Sequence, residues 1–185
     1  MPQTTSITST LGTKAHDFTL PDTVTGKKFS LNNLKSDEAT VIMFICNHCP
    51  FVKHVNKELV NLANDYMPKG ISLIAISSND VLSHPEDGPD KMKEVAKTLG
   101  YPFHYLYDEN QEVAKIYDAV CTPDFFIYDG SLNLVYHGQL DDSRPSNNIP
   151  VTGKDIRSAL DNIVQGKPVS KNQHPSIGCS IKWKS

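Results

Sequence analysis

The strongest pattern along the chain begins at Thr40 to Ile45, a run of apolar and β-branched residues without polar alternation. A segment of this kind suits a strand buried on both faces. From Pro50 the period changes. Val52, Val55, Leu59, Leu62 and Tyr66 step by 3, 4, 3 and 4 residues, the stripe of an amphipathic helix. Pro68 and Gly70 predict its end. Ile71 to Ile76 repeats the buried-strand pattern, so strand, helix and strand read as a βαβ unit with parallel strands.

Weaker patterns flank this unit. Asp17 to Asp22 and Gly26 to Leu31 read as short extended pieces around a turn. A polar stretch from Ser77 to Gly88 leads to Pro89, after which Met92, Val95, Ala96 and Leu99 share a helical face before Gly100. Phe103 to Tyr107 is predicted to be extended, and Val113, Ala114, Ile116 and Tyr117 to form a short helix. Asp129-Gly130 signals a hairpin joining strands Phe125–Tyr128 and Leu132–His137. Thr152 with Asp155 resembles a capped helix start, and Ile156, Leu160, Ile163 and Val164 form the buried stripe behind it. Beyond Gly166, the alternation of Ile177, Cys179, Ile181 and Trp183 predicts a strand or docked tail, with the only tryptophan packed on the body. Residues 1–12 are polar and read as a flexible arm. The expectation is therefore an arm (1–12), one α/β domain (13–166) and a docked tail (167–185). Its core would be a central mixed sheet flanked by helices, with an N-terminal β extension and an α-β insertion.

Composition narrows the function. A chain of 185 residues suits one domain. Its net charge of −3 offers no footprint for nucleic acid or anionic membrane. The only arginines are Arg144 and Arg157, so bidentate phosphate recognition is not its main business. The longest apolar run, Val41 to Cys46, is far shorter than the ~20 residues of a membrane span. With no cationic, apolar leader at the start, the expected location is the cytoplasm. In a reducing compartment, close-set cysteines point to catalysis or metal binding rather than to a structural disulfide framework.

The chain has four cysteines, and two of them form Cys46-Asn47-His48-Cys49-Pro50 between the first buried strand and the amphipathic helix. Free backbone N–H groups and the helix dipole stabilise a thiolate at such a junction. His48, when protonated, adds to this. Pro50 suits the first helical position, which makes Cys49 the N-cap. Redox exchange is the leading reading of the pair. Burial as packing residues and a Zn or Cu site built from Cys46, His48 and Cys49 are the others.

The C-N-H-C-P motif, the Thr122-Pro123-Asp124-Phe125-Phe126 segment, the Asp17-Phe18-Thr19-Leu20-Pro21 opening and the Pro-Ser-Ile-Gly-Cys-Ser-Ile-Lys-Trp ending carry a resemblance. Over about residues 12–184 the chain resembles a thioredoxin-fold protein of the AhpC/TSA (alkyl hydroperoxide reductase/thiol-specific antioxidant) superfamily, in its peroxiredoxin-like branch. The resemblance implies that Pro123 is a cis-proline opposite the cysteine pair, preceded by Thr122, and that this segment presents its backbone to an extended disulfide substrate. It also implies an oxidoreductase without a cofactor or resident metal. A protein or small-molecule disulfide, or a peroxide, would be the substrate, a thiol the electron donor, and a homodimer the assembly.

Within that resemblance, the sequence departs from the P-x-x-x-T/S-x-x-C pattern of peroxiredoxins. Cys46 and Ile42 stand three and seven residues before Cys49, and Met43 stands three before Cys46. Thiol–disulfide exchange is accordingly favoured over peroxide reduction. An ungapped register from Phe44 puts Cys49 at the nucleophile position and leaves Cys46 to resolve; a plain C-x-x-C analogy would choose Cys46. Cys121, two residues before Pro123, is read as a packing residue or a second resolving thiol. Cys179 is read as a docked-tail residue or a resolving thiol brought in by tail movement. Arg144 either stabilises a thiolate or binds substrate, or pairs with the adjacent aspartates.

Overall fold

The computed structural model describes residues 2–185. In chain order the strands and helices are β1 (Gln3–Thr5), β2 (Thr19–Pro21), β3 (Lys28–Ser30), α1 (Leu31–Leu34), β4 (Ala39–Phe44), α2 (Pro50–Tyr66), β5 (Ile71–Ser77), α3 (Pro89–Leu99), β6 (His104–Tyr107), α4 (Glu112–Ile116), β7 (Cys121–Thr122), β8 (Asp124–Asp129), β9 (Leu134–Gly138), α5 (Lys154–Val164) and β10 (Ile177–Ser180). The central sheet has the order β6-β5-β4-β8-β9. β4 runs parallel to β5 and antiparallel to β8, which makes the sheet mixed.

The uniform burial of β4 follows from helices on both faces. Val41 and Met43 point to one side, into a core with Val52, Val55, Leu59 and Leu62 of α2, Met92 and Ala96 of α3, and Ile156 and Leu160 of α5. Ile42 and Phe44 point to the other, against Ile74, Ile76, Leu106, Phe126, Val113 and Tyr117. Burying each such side chain contributes about 1.5–3 kcal/mol. The predicted α2 stripe is wholly buried. Pro68 and Gly70 end the helix through a 3₁₀ turn, with Gly70 at φ 87°.

Several local expectations are corrected. Residues 3–5, expected within a flexible arm, form β1, which pairs with β10 at Gln3↔Cys179. The turn after β8 is longer than a two-residue hairpin: Leu132 lies in it at φ 62°, and the Asp129 carboxylate accepts the N–H groups of Ser131 and Asn133. α5 is not capped by Thr152; its N-cap is Gly153, in the left-handed region at φ 66°. The N–H groups of Thr152 and Gly153 donate instead to the distant Asp141 carboxylate, at 2.7 and 2.6 Å. Trp183 remains 41% exposed, with the Lys115 ammonium 5.9 Å from its ring centroid.

Candidate active site

The cysteine loop leaves the C-terminal end of β4 and enters α2 at Pro50, the first helical residue, with Cys49 at the N-cap in extended conformation. The Cys49 carbonyl accepts the N–H groups of Val52 and Lys53, at 3.1 and 3.0 Å. Opposite lies Thr122-Pro123, joined by a cis peptide bond. Thr122 faces both sulfurs of the motif. Its carbonyl oxygen is 3.4 Å from Cys49 Sγ, and its hydroxyl is 3.5 Å from Cys46 Sγ.

The two thiols are driven apart electrostatically. Cys49 is lowered from the usual 9.0 to about 5, chiefly by the hydrogen bond from the Cys46 thiol; burial opposes this, while the Cys179 thiol, the Val52 N–H and Thr122 support it. Cys46 is pushed well up by the same hydrogen bond, by burial and by the Asp87 carboxylate. These opposed shifts favour the negative charge on Cys49 and the proton on Cys46. Hydrogen bonds to a charged acceptor are the stronger kind, and here they converge at a helix N-terminus.

Asp87 lies outside every motif in the sequence, yet it organises the loop. It is fully buried. Its Oδ1 accepts the N–H groups of Asn47 and His48, at 2.8 and 3.1 Å. Its Oδ2 accepts from Asn79 Nδ2 at 2.9 Å and from His48 Nδ1. The only local hint was its place in the polar stretch before Pro89. His48 Nδ1 is also 3.9 Å from Cys46 Sγ, and its ring stacks on His84.

One metal-compatible set is present among the described residues, and its members differ from the expected ones. Cys46, His48 and Asp87 bring ligand atoms within 4.8 Å of one another, whereas the Cys49 sulfur turns away toward Thr122 and Cys179. The donor set would suit Zn²⁺ with a fourth position open. Hydrogen bonds alone already satisfy Asp87.

The other candidates separate clearly. Cys179 reaches the site: its Sγ is 2.8 Å from Cys49 Sγ, with no tail movement required. Its thiol is pushed up to about 12 by burial, then by the hydrogen bond and charge of Cys49. Cys121 is buried on β7, where it pairs with Ser180, and its thiol is raised by burial, Asp124 and Cys49. Arg144 neither meets a sulfur nor pairs with the neighbouring aspartates. Its guanidinium donates to the carbonyls of Asp141 and Ser143 and to Gln139 Oε1, fixing its own loop.

Two further features shape access. The edge at Thr122, which the resemblance reserves for an extended substrate, is occupied by β10, with Cys179 opposite Thr122. Cys46 and Cys49 are 2% and 0% exposed. Beside the loop, a groove of about 690 Å³ between α2 and α3 is lined by Asn47, His48, Lys53, Glu86 and Leu99 among others.

The sequence model of the AhpC/TSA family matches residues 11–137, a span that includes the cysteine loop and the cis-proline. The chain belongs to the AhpC/TSA family. It is thus an oxidoreductase of thioredoxin-like fold. It is similar over its full length to an uncharacterized conserved protein from Geobacillus kaustophilus, at 64% identity, covering 97% of that chain with a TM-score of 0.98. A hypothetical protein from Sinorhizobium meliloti 1021 is 48% identical over 98% of this chain and 99% of its own, with a TM-score of 0.96. A thioredoxin-family thiol:disulfide interchange protein from Chlorobium tepidum TLS shares the fold at 20% identity, with 86% and 98% of the two chains covered and a TM-score of 0.62. None of the curated proteins matches the chain. No helix among the described residues is long and apolar enough to cross a membrane.

Proposed function

We propose that this AhpC/TSA-family protein is a thiol–disulfide oxidoreductase with antioxidant activity, using Cys49 as nucleophile and Cys46 as resolving thiol. The Cys49 thiolate attacks one sulfur of a substrate disulfide, forms a mixed disulfide and releases the first substrate thiol. Cys46 then loses its proton and attacks the Cys49 sulfur. The second substrate thiol leaves, and the Cys46–Cys49 disulfide that remains is reduced by an external thiol. The observation that carries this reading is the placement of Cys49 at the N-cap of α2 facing the cis Thr122-Pro123 segment, and the lowering of Cys49 with the raising of Cys46 accords with it. The groove beside Asn47 and His48 gives a small disulfide an approach to the loop, whereas a protein disulfide requires β10 to lift from Thr122. The activity needs a thiol donor and fits the cytoplasmic location that the cysteine usage implies.

A second reading, peroxide reduction through a sulfenic acid on Cys49, is favoured by one observation: with Cys49 fully buried, a small oxidant meets the least obstruction. Comparing hydrogen peroxide consumption with reduction of a small disulfide and of insulin, each driven by dithiothreitol, separates the two. Disulfide reduction that disappears in Cys49→Ser is expected. Rapid peroxide loss without disulfide reduction would replace the first reading by the second.

A further inference from the structure

The C-terminal strand does more than close the domain. β10 lies between β1 and β7 and pairs antiparallel with both. The residues that follow it are fixed as well. The Ile181 N–H donates to the Val120 carbonyl, the Lys182 N–H to Asn79 Oδ1, and the Lys182 carbonyl accepts from Gln111 Nε2. Asn79 also donates to Asp87, which holds the cysteine loop. At Gly178 the two backbones meet so closely that a Cβ would lie 1.9 Å from the Thr122 carbonyl oxygen. The result of this anchoring is a single contact: Cys179 Sγ is held 2.8 Å from Cys49 Sγ. A disulfide bond is ~2.05 Å long, so the two sulfurs need only a small approach to bond.

We propose that Cys179 is a third redox thiol, which attacks Cys49 whenever Cys49 is held in a disulfide and transfers that bond to a Cys49–Cys179 pair. The proposal rests on Cys49 being the residue that enters disulfides. The step balances without an outside reagent. Cys179 gives up its thiol proton, its sulfur bonds to Cys49, the existing bond to Cys49 breaks, and the displaced sulfur leaves as a thiolate that takes up the proton. When the displaced sulfur belongs to substrate, Cys179 completes substrate reduction. When it is Cys46, the oxidised protein exchanges one internal disulfide for another, and α2 becomes covalently joined to β10. Burial is the main reason that Cys179 stays protonated in the reduced protein, and the hydrogen bond and charge of the Cys49 thiolate add to it. That contribution vanishes once Cys49 is in a disulfide, which favours attack at the moment it is needed.

The test uses the full chain, reduced, with 5,5′-dithiobis(2-nitrobenzoate) as the model disulfide, followed by acid quenching, intact mass measurement and peptide mapping. In Cys46→Ser, attack by Cys49 followed by resolution through Cys179 yields a Cys49–Cys179 peptide and no retained thionitrobenzoate. In Cys46→Ser/Cys179→Ser the thionitrobenzoate stays on Cys49. The wild-type protein, oxidised with diamide, is expected to give a Cys49–Cys179 peptide alongside Cys46–Cys49. A Cys46→Ser protein that keeps thionitrobenzoate on Cys49, or an oxidised wild type containing only Cys46–Cys49, would overturn the proposal while leaving the exchange chemistry intact. Failure of Cys49 to react at all would instead remove the underlying function.

Discussion

Gly178→Ala is the sharpest perturbation of the closed site, because it adds one methyl and alters no sulfur. The new Cβ would lie 1.9 Å from the Thr122 carbonyl oxygen and 2.6 Å from its carbon, both backbone atoms that cannot rotate away. Reaching a tolerable 3.0 Å requires β10 to retreat by about 1.1 Å. Ladder bonds of ~2.9 Å would then pass their useful limit, and a sulfur gap of 2.8 Å would open to about 4 Å. Two lost hydrogen bonds at ~1 kcal/mol each, with ~1 kcal/mol of overpacking, give about 3 kcal/mol. With a urea dependence of ~2 kcal/mol per molar, the unfolding midpoint should fall by about 1.5 M. Cys179, 2% exposed in the native protein, should alkylate about 100-fold faster if its protection reflects the same opening. A midpoint within ~0.3 M of wild type together with unchanged Cys179 labelling would refute the described packing of β10 on Thr122.

Asp87→Ala leaves four donors without their acceptor: the N–H groups of Asn47 and His48, His48 Nδ1 and Asn79 Nδ2. At ~1 kcal/mol or more each, a destabilisation of about 4 kcal/mol is expected in urea unfolding; a loss under ~1 kcal/mol would show that Asp87 does not hold the loop. Cys46 is raised chiefly by its hydrogen bond to Cys49 and by burial, and the Asp87 charge adds to both, so ultraviolet titration of the same variant should find Cys46 ionising at lower pH than in wild type. The thiolate, not the thiol, reacts with iodoacetamide. Because Cys49 is lowered to about 5, its labelling rate should rise as pH climbs through that value and level off by neutrality. Cys46 and Cys179, both raised, should remain unlabelled over this range; labelling that rises only near pH 9 at every cysteine would contradict the assignment.

What the sequence made legible was whatever rests on local pattern. The α2 stripe, the Pro50 start that puts Cys49 at the N-cap, and the buried β4 and β5 all depend on residues close together in the chain. The resemblance added the cis-proline, found at Thr122-Pro123. The parts that escaped are long-range polar contacts. Ser77, Ser78, Asn79 and Asp87 read only as a polar stretch, yet all are buried; Asp87 is satisfied by the cysteine loop and Asn79 by the C-terminal tail more than one hundred residues away. The start of α5 was misread for the same reason: Thr152 makes no cap, and the N–H groups of the first turn at Asp155 and Ile156 are accepted by the distant Leu140 carbonyl while Asp141 holds the approach at Thr152 and Gly153. Cys179 could be flagged as a tail cysteine or a resolving thiol delivered by tail movement, but not as a resident of the site, since its contact with Cys49 depends on β10 pairing with Thr122.

The most direct test of the account is a single-turnover reaction of reduced protein with a small disulfide, quenched with acid and mapped by mass spectrometry, for wild type and Cys49→Ser. The account predicts that wild type releases substrate thiol and carries a disulfide that includes Cys49, and that Cys49→Ser releases none. A Cys49→Ser protein that still turns over substrate, with Cys46 in the resulting mixed disulfide, would contradict it.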